Sequence, residues 1–119
     1  MKEILGEPGK NIKIIAKIDT ISGIENFEDI LSQSDGVIIQ RNELAWELPS
    51  EKLMVAQKWM IQQCNKKAKL VMLQSQIVES MITDAQPSRQ EITEITTATL
   101  DGADCFILSH ETSYGKNCI

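Results

Sequence analysis

The sequence has one histidine, three cysteines and no surplus of positive charge, and each shortage closes off a class of function. Lysine and arginine number 12 against 17 aspartates and glutamates, a formal charge of −5, so the chain carries no basic footprint for nucleic acid. No apolar run approaches the roughly 20 residues that span a membrane. The N-terminus also lacks the apolar core of a signal peptide. Cys64, Cys105 and Cys118 are odd in number, widely spaced and outside any C-x-x-C pattern. That argues against a disulfide framework or a zinc site, and for free or buried thiols in a reducing compartment. The lone His110 is read as structural or solvated rather than catalytic. The expectation is a soluble, cytoplasmic protein whose partners are neither nucleic acid nor membrane.

What is present is ordinary for a globular chain: 42% hydrophobic residues in 119, enough for one small domain. A chain of that size buries roughly two-thirds of its unfolded surface. The organising stretch runs from Asp35 to Leu44. A turn pair, Asp35-Gly36, opens it, three β-branched residues follow, and a polar cluster closes it. Continuous apolar character over so few residues predicts a strand covered on both faces, as in a parallel sheet flanked by helices. Chemistry in such sheets gathers at the strand ends, which puts Arg41, Asn42 and Glu43 where a ligand would be met.

Other runs read as neighbours of this one. Residues 1–11 are expected to be a frayed lead-in, because Gly6, Pro8 and Gly9 break any helix. Residues 12–18 form a first strand, 35–40 a second, 70–73 a third and 105–108 a fourth. Ser22 and Glu25 have the spacing of a capping box, followed by a short helix with Phe27, Ile30 and Leu31 inward. Pro49 and Ser50 open the longest helix, to about Asn65. Leu53, Ala56, Met60 and Cys64 recur there at helical spacing, while Glu51, Lys52, Lys58 and Gln62 face water. Lys66, Lys67 and Lys69 are read as a solvated helix exit favoured by the helix dipole. Residues 79–82 make a helical turn, and Ser88 with Glu91 a second capping box opening a helix to about Leu100. Four strands alternating with helices predict an α/β fold of parallel βα units. Ile14, Ile18, Val37, Ile39, Val71, Leu73, Ile107 and Leu108 should be buried, with Leu53, Met60 and Ile95 packing onto them.

Several segments together resemble the pyruvate kinase family. They are Lys13-Ile14-Ile15-Ala16-Lys17-Ile18, Asp35-Gly36-Val37, residues 44–49, Glu79-Ser80-Met81, Leu100-Asp101-Gly102-Ala103-Asp104-Cys105 and Leu108-Ser109-x-Glu111-Thr112. The likeness runs in register from about Leu5 to Gly115. It implies half of a TIM-type (β/α)8 barrel, strands five to eight, making residues 1–119 a single partial domain. The first four strands, the lid domain and the regulatory C-terminal domain are not among these residues.

The resemblance also implies chemistry: phosphoryl transfer between phosphoenolpyruvate and ADP, giving pyruvate and ATP in glycolysis. Lys17 falls on the lysine that works beside the enolate, and cationic groups suit developing negative charge. Asp19 and Glu43 fall on the two carboxylates that hold the divalent metal, Mg2+ or Mn2+, while the family's K+ site lies outside this chain. Ser75 stands where the family has a threonine hydroxyl near the substrate carboxylate, so Asn42, Glu43 and Ser75 are the substrate-side residues. The match is not uniform. The family has glutamate at Asp19 and aspartate at Glu43, so each carboxylate is displaced by about one C–C bond, roughly 1.5 Å. Asn42, Ala45 and His110 replace glycines, and Leu73 and Gln74 replace smaller residues. Each site residue also has a scaffold role open to it: Lys17 paired with a carboxylate, Glu43 capping a helix start, Ser75 bonding a backbone amide. An isolated half-site is expected to be inactive, because phosphoryl transfer depends on positioning. Two identities stay open: a pyruvate kinase segment that needs its other half, or a non-catalytic relative serving a larger assembly. In either case the open sheet predicts a complementary barrel half, self-association or a larger complex as partner.

Overall fold

A computed structural model describes residues 2–75 and 77–117. Met1, Gln76 and Cys118, each of which falls in a segment read above, lie outside the described residues. Four parallel strands are hydrogen-bonded in chain order: β1 (Ile15–Ile18), β2 (Gly36–Gln40), β3 (Leu70–Gln74) and β4 (Cys105–Ile107). Register places Ile18 against Ile39, Ile39 against Leu73, and Gln40 against Gln74. An α/β fold with a parallel sheet is therefore what the chain forms.

Seven helices decorate the sheet among the described residues: α1 (Lys2–Leu5), α2 (Ile21–Glu25), α3 (Phe27–Gln33), α4 (Arg41–Glu47), α5 (Ser50–Lys66), α6 (Arg89–Asp101) and α7 (His110–Ser113). The lead-in is not simply frayed, since α1 and a 3-10 turn, Glu7–Gly9, occupy it. The first capping box is also displaced. Thr20, not Ser22, caps α2, its side chain accepting from the Gly23 amide. The second holds: the Ser88 hydroxyl accepts from the Glu91 amide while Glu91 reaches back to the Ser88 amide. Gly102 ends α6 at φ +98°, a left-handed conformation that glycine adopts without a Cβ penalty.

A repeated aspartate device starts alternate strands. Asp35, just before β2, accepts from the Ile14 amide through Oδ2 at 2.9 Å while its own amide donates to the Ile14 carbonyl at 2.7 Å. Asp104, just before β4, does the same to Val71, at 2.8 and 3.0 Å. Each aspartate thereby pins the register of a strand to its neighbour. Gly36 must follow Asp35 closely packed, since a Cβ there would lie 2.9 Å from the Leu70 carbonyl oxygen.

The core lies between the sheet and helices α3 and α5. Ile18, Val37, Ile39, Val71, Leu73, Leu53 and Met60 are buried in it with Phe27, Leu31 and Ile61. Phe27 and Trp59 pack as tilted rings with centroids 5.3 Å apart, tying α3 to α5. Three expected core positions are corrected, while Ile95 packs against the core from α6 as expected. Ile14 and Ile107 are only half-buried, and Leu108 is 43% exposed. The physical reason is position: β1 and β4 are the sheet's edges, so a second neighbour is missing there, while β2 and β3 are flanked on both sides. A groove of about 650 Å³ lined in part by Ile14, Ala16 and Ile30 runs beside β1.

The basic run is also corrected at one residue. Lys69 does not sit in open water; its Nζ donates to the carbonyls of Leu31, Ser32 (3.1 Å) and Ser34 (2.6 Å), closing the C-terminal end of α3. Cys64 is buried and Cys105 exposed, both as free thiols. Burial, reinforced by the nearby Asp104 carboxylate, pushes the Cys64 thiol up to about 11.

Glu91 ties two segments together. It accepts from the amides of Ser80 and Ser88, each at 2.8 Å, and from both serine hydroxyls. Desolvation pushes its carboxyl up, but these four donors outweigh it and hold the group at about 2, below the usual 4.5. A carboxyl depressed on folding adds stability that is complete above the unfolded value and disappears as pH falls through the folded one. Thermal midpoints of the parent and Glu91→Gln should therefore differ by a constant amount above about pH 5 and converge between about pH 4.5 and 2.

Candidate functional site

The residues singled out from the sequence gather at the C-terminal ends of the strands. Lys17 is in β1, Asp19 follows it, Asn42 and Glu43 lie in the first turn of α4, and Ser75 follows β3. Lys17 Nζ stands 3.8 Å from Asp19 Oδ2 and 4.0 Å from Glu43 Oε1, so one ammonium serves both carboxylates. All three side chains are roughly half-exposed, and exposed pairs at such distances are worth about 0–1 kcal/mol. The trio is loosely held and free to rearrange around a ligand.

A second cluster lies beside it. Gln40, Asn42, Glu43, Gln74, Ser75, Glu79, Ser109, His110 and Glu111 line a cleft of about 330 Å³ over the ends of β2, β3 and β4. Asn42, Glu43 and Ser75 are thus brought together in one cleft, with Glu43 common to both clusters. Lys17 and Asp19 do not line it. No group of three or more His, Cys, Asp or Glu side chains is placed to hold a metal ion among the described residues.

Arg41 does not face a ligand, contrary to its strand-end reading. It is 4% exposed, and β2 runs without a loop into α4, which turns this side chain away. Its Nε and Nη2 donate to the Ser75 carbonyl at 3.1 and 3.0 Å, and Nη1 meets Glu94 Oε2 at 3.1 Å. The planar guanidinium fork suits that two-pronged grip. Ser75 needs the grip because its φ is +73°, a conformation that costs a non-glycine residue about 1–3 kcal/mol. The Ser75 hydroxyl is engaged too, accepting from Gln40 Nε2 at 2.7 Å rather than bonding a backbone amide. Glu43 lies in the first turn of α4, where Gln40 is the capping position and makes no side-chain cap bond.

Gln40, Glu79, Ser109 and Glu111 were not singled out as site residues. A signal was available for two: Gln40 and Ser109 terminate or follow apolar runs, as Gln74 does, and Gln40 and Gln74 end paired strands in register. Glu111 is buried and accepts from the Ser109 amide at 3.1 Å and hydroxyl at 3.3 Å, an arrangement within its own turn.

Comparison with known proteins gives one consistent result. The family model described as "Pyruvate kinase, barrel domain" matches residues 1–119. A pyruvate kinase of Dictyostelium discoideum is 46% identical over 115 residues, covering 97% of this chain and 23% of its own. Pyruvate kinase PKLR of Rattus norvegicus is 47% identical over 116 residues, covering 98% of this chain and 20% of its own. The crystal structure of a pyruvate kinase from Cryptosporidium parvum superposes with a TM-score of 0.90 at 43% identity, over 96% of this chain and 24% of that one. The chain thus spans about a fifth to a quarter of the length of the relatives it matches.

Proposed function

The chain belongs to the pyruvate kinase family, and from that premise we propose that residues 1–119 are one partial domain, strands five to eight of the family's (β/α)8 barrel. In this reading β1 to β4 supply half of a site for phosphoryl transfer between phosphoenolpyruvate and ADP. The observation that carries it is the convergence of Lys17, Asp19 and Glu43 at the strand ends, with Nζ within 4.0 Å of both carboxylates. Lys17 is the group beside the enolate, and Ser75 with Asn42 the substrate side of the cleft.

The donor set of Asp19 and Glu43 fits a hard cation. Mg2+ takes oxygen ligands and is commonly held by one or two protein carboxylates plus waters and substrate oxygens. Those two residues would hold Mg2+ or Mn2+, which when bound neutralises charge on the transferring group. The K+ site belongs outside these residues. Lys17 balances the carboxylate pair and presents a positive charge at the strand ends. Arg41 keeps Ser75 in its left-handed conformation, and the Ser75 hydroxyl stays fixed by Gln40.

Half of the positioning groups do not give half of the rate, so the chain by itself is inactive. Its partner is a complementary barrel half, a second copy or a larger assembly, because β1 and β4 are edges and the groove beside β1 is open. Family membership and the charge balance favour a cytoplasmic setting; no helix among the described residues is long and apolar enough to cross a membrane. The exchanged lengths of Asp19 and Glu43, and Asn42 in the cleft, favour the second reading, a non-catalytic family member that serves a larger assembly.

Mn2+ titration followed by water-proton relaxation tests the metal, and a coupled assay for pyruvate tests the chemistry. Metal binding is expected to be millimolar or weaker and to vanish in Asp19→Asn and Glu43→Gln. No pyruvate is expected from the chain alone. Turnover on adding the complementary half, lost in Lys17→Met, supports the segment reading. Turnover by the chain alone contradicts the half-site, and metal binding unaffected in both carboxylate variants removes the proposed ligands.

A further inference from the structure

Ser75 differs from other hydroxyl residues of the chain in what happens to its proton. Each threonine of α6 donates to the carbonyl four residues back, as Thr96 does to Ile92 at 2.8 Å. Ser34, buried like Ser75, donates to the Leu31 carbonyl. Ser75 is 6% exposed, and among the described residues its hydroxyl has one partner: it accepts from Gln40 Nε2 at 2.7 Å. A hydroxyl carries one proton and two acceptor lone pairs, so this bond uses a lone pair and leaves the proton without an acceptor. A buried polar hydrogen left so is costly, and native structures rarely keep one without a use.

The direction of that proton is constrained. Arg41 grips the Ser75 carbonyl with two N–H groups and holds the backbone at φ +73°. Gln40 and Gln74 end paired strands in register, which brings the Gln40 side chain to one side of the Ser75 hydroxyl. With a lone pair taken on that side, the O–H bond turns away from Gln40, and Ser75 lines the cleft. The lining of the cleft includes no lysine or arginine, so a carboxylate entering it is met by neutral donors. A hydroxyl that accepts one hydrogen bond is polarised toward giving another, and a donor facing a carboxylate makes a short, strong bond.

We propose that Gln40 is a positioning residue for the substrate carboxylate. By occupying a lone pair of Ser75 Oγ, it makes the Ser75 hydroxyl a committed donor toward the carboxylate of phosphoenolpyruvate. The ligand is taken from the family reading, on which the proposal rests, and Gln40 acts on it only through Ser75. The carboxylate is unchanged when the phosphoryl group leaves the enol oxygen. The interaction is therefore alike in ground and transition states and acts on binding, not on the chemical step.

The test is Gln40→Met, which keeps the length of the side chain and removes its donor. In the chain combined with its complementary half, the KM for phosphoenolpyruvate should rise about tenfold, the effect of one hydrogen bond to a charged group. The kcat and the KM for ADP should stay where they are, whereas a merely structural role would move all three. In a Ser75→Ala background the same substitution should add nothing, because the two residues act as a unit. NMR of the 119-residue chain alone reads the bond directly: one Gln40 Nε2 proton should exchange slowly and lose that protection in Ser75→Ala. Protection that does not depend on Ser75 overturns the proposal, since the amide would then be turned with its oxygen taking the Ser75 proton. A rise in both KM values together, a loss confined to kcat, or additive losses in the double variant overturn it as well. Combined halves that give no turnover remove the family reading and this proposal with it. Turnover with an unmoved KM for phosphoenolpyruvate removes this proposal alone.

Discussion

Replacing Ile39 by alanine is expected to cost about 2–5 kcal/mol of stability, the range for emptying a buried aliphatic site. Ile39 is fully buried at the centre of the sheet, paired with Ile18 on one side and Leu73 on the other. Neighbours on both strands prevent the site from collapsing around the cavity, which places the effect in the upper part of the range. For a chain this short the loss corresponds to a drop of roughly 10–20 °C in the thermal midpoint. The control is Leu108→Ala, at a position exposed beyond the end of β4, where a surface change of less than about 0.5 kcal/mol is expected. Denaturant melts of the two variants decide the matter. Equal losses would mean that β4 is covered in the protein as purified, and an unchanged Ile39→Ala would place β2 elsewhere.

Removing the Arg41 guanidinium should have the next largest effect. Arg41→Met leaves the Ser75 carbonyl, at the turn that ends β3, without its two donors and Glu94, on α6, without its ion-pair partner. Breaking a buried charged network from one side costs about 3–5 kcal/mol. Glu94 is partly solvated, so the lower end, about 3 kcal/mol, is expected. Arg41→Lys should rescue little, because an ammonium cannot supply the paired geometry. The signature that separates this from a general loss of packing is local. Ser75, released from its left-handed φ, should lose its hydroxyl contact with Gln40, seen as a shift of the Gln40 side-chain amide before global unfolding. A variant as stable as the parent would show that Ser75 holds its conformation without help.

The strands and the long helices were legible because short β-branched runs and 3.6-residue spacing are strong local signals, as for Val37, Ile39 and α5. Helix α4 was not, because its first residues follow β2 with no turn signal and read as a polar strand end. Thr20 took the cap that Ser22 promised because the helix begins one residue before Ser22. Edge positions failed for a different reason. Ile107 and Leu108 look like core in sequence, but burial depends on a neighbouring strand, which local pattern does not encode. Among site residues, Lys17, Asp19, Asn42, Glu43 and Ser75 were found through family motifs, and the geometry places them in two adjoining groups. Gln40 closes an apolar run as Gln74 does, which marks it as a strand end. Its burial and its bond to the Ser75 hydroxyl follow from packing that the sequence does not encode. Arg41 was assigned to the right strand end and the wrong side of it, since which way a helix's first side chain turns is decided by packing.

The edge position of β1 has a consequence for time as well as for shape. Local opening starts where backbone groups have fewest packed neighbours, and in this sheet that means β1 and β4 before β2 and β3. Gln40 and Ser75 hang on the two inner strands, whereas Lys17 and Asp19 hang on or beyond β1. The two halves of the site therefore have different lifetimes. Amide hydrogens around Lys17 should exchange with solvent through brief partial openings, while those of Val37, Ile39, Val71 and Leu73 wait for the whole sheet to come apart. A strand docked against β1 would slow the first set without touching the second, so its presence could be read from exchange rates alone, with no knowledge of what the partner is.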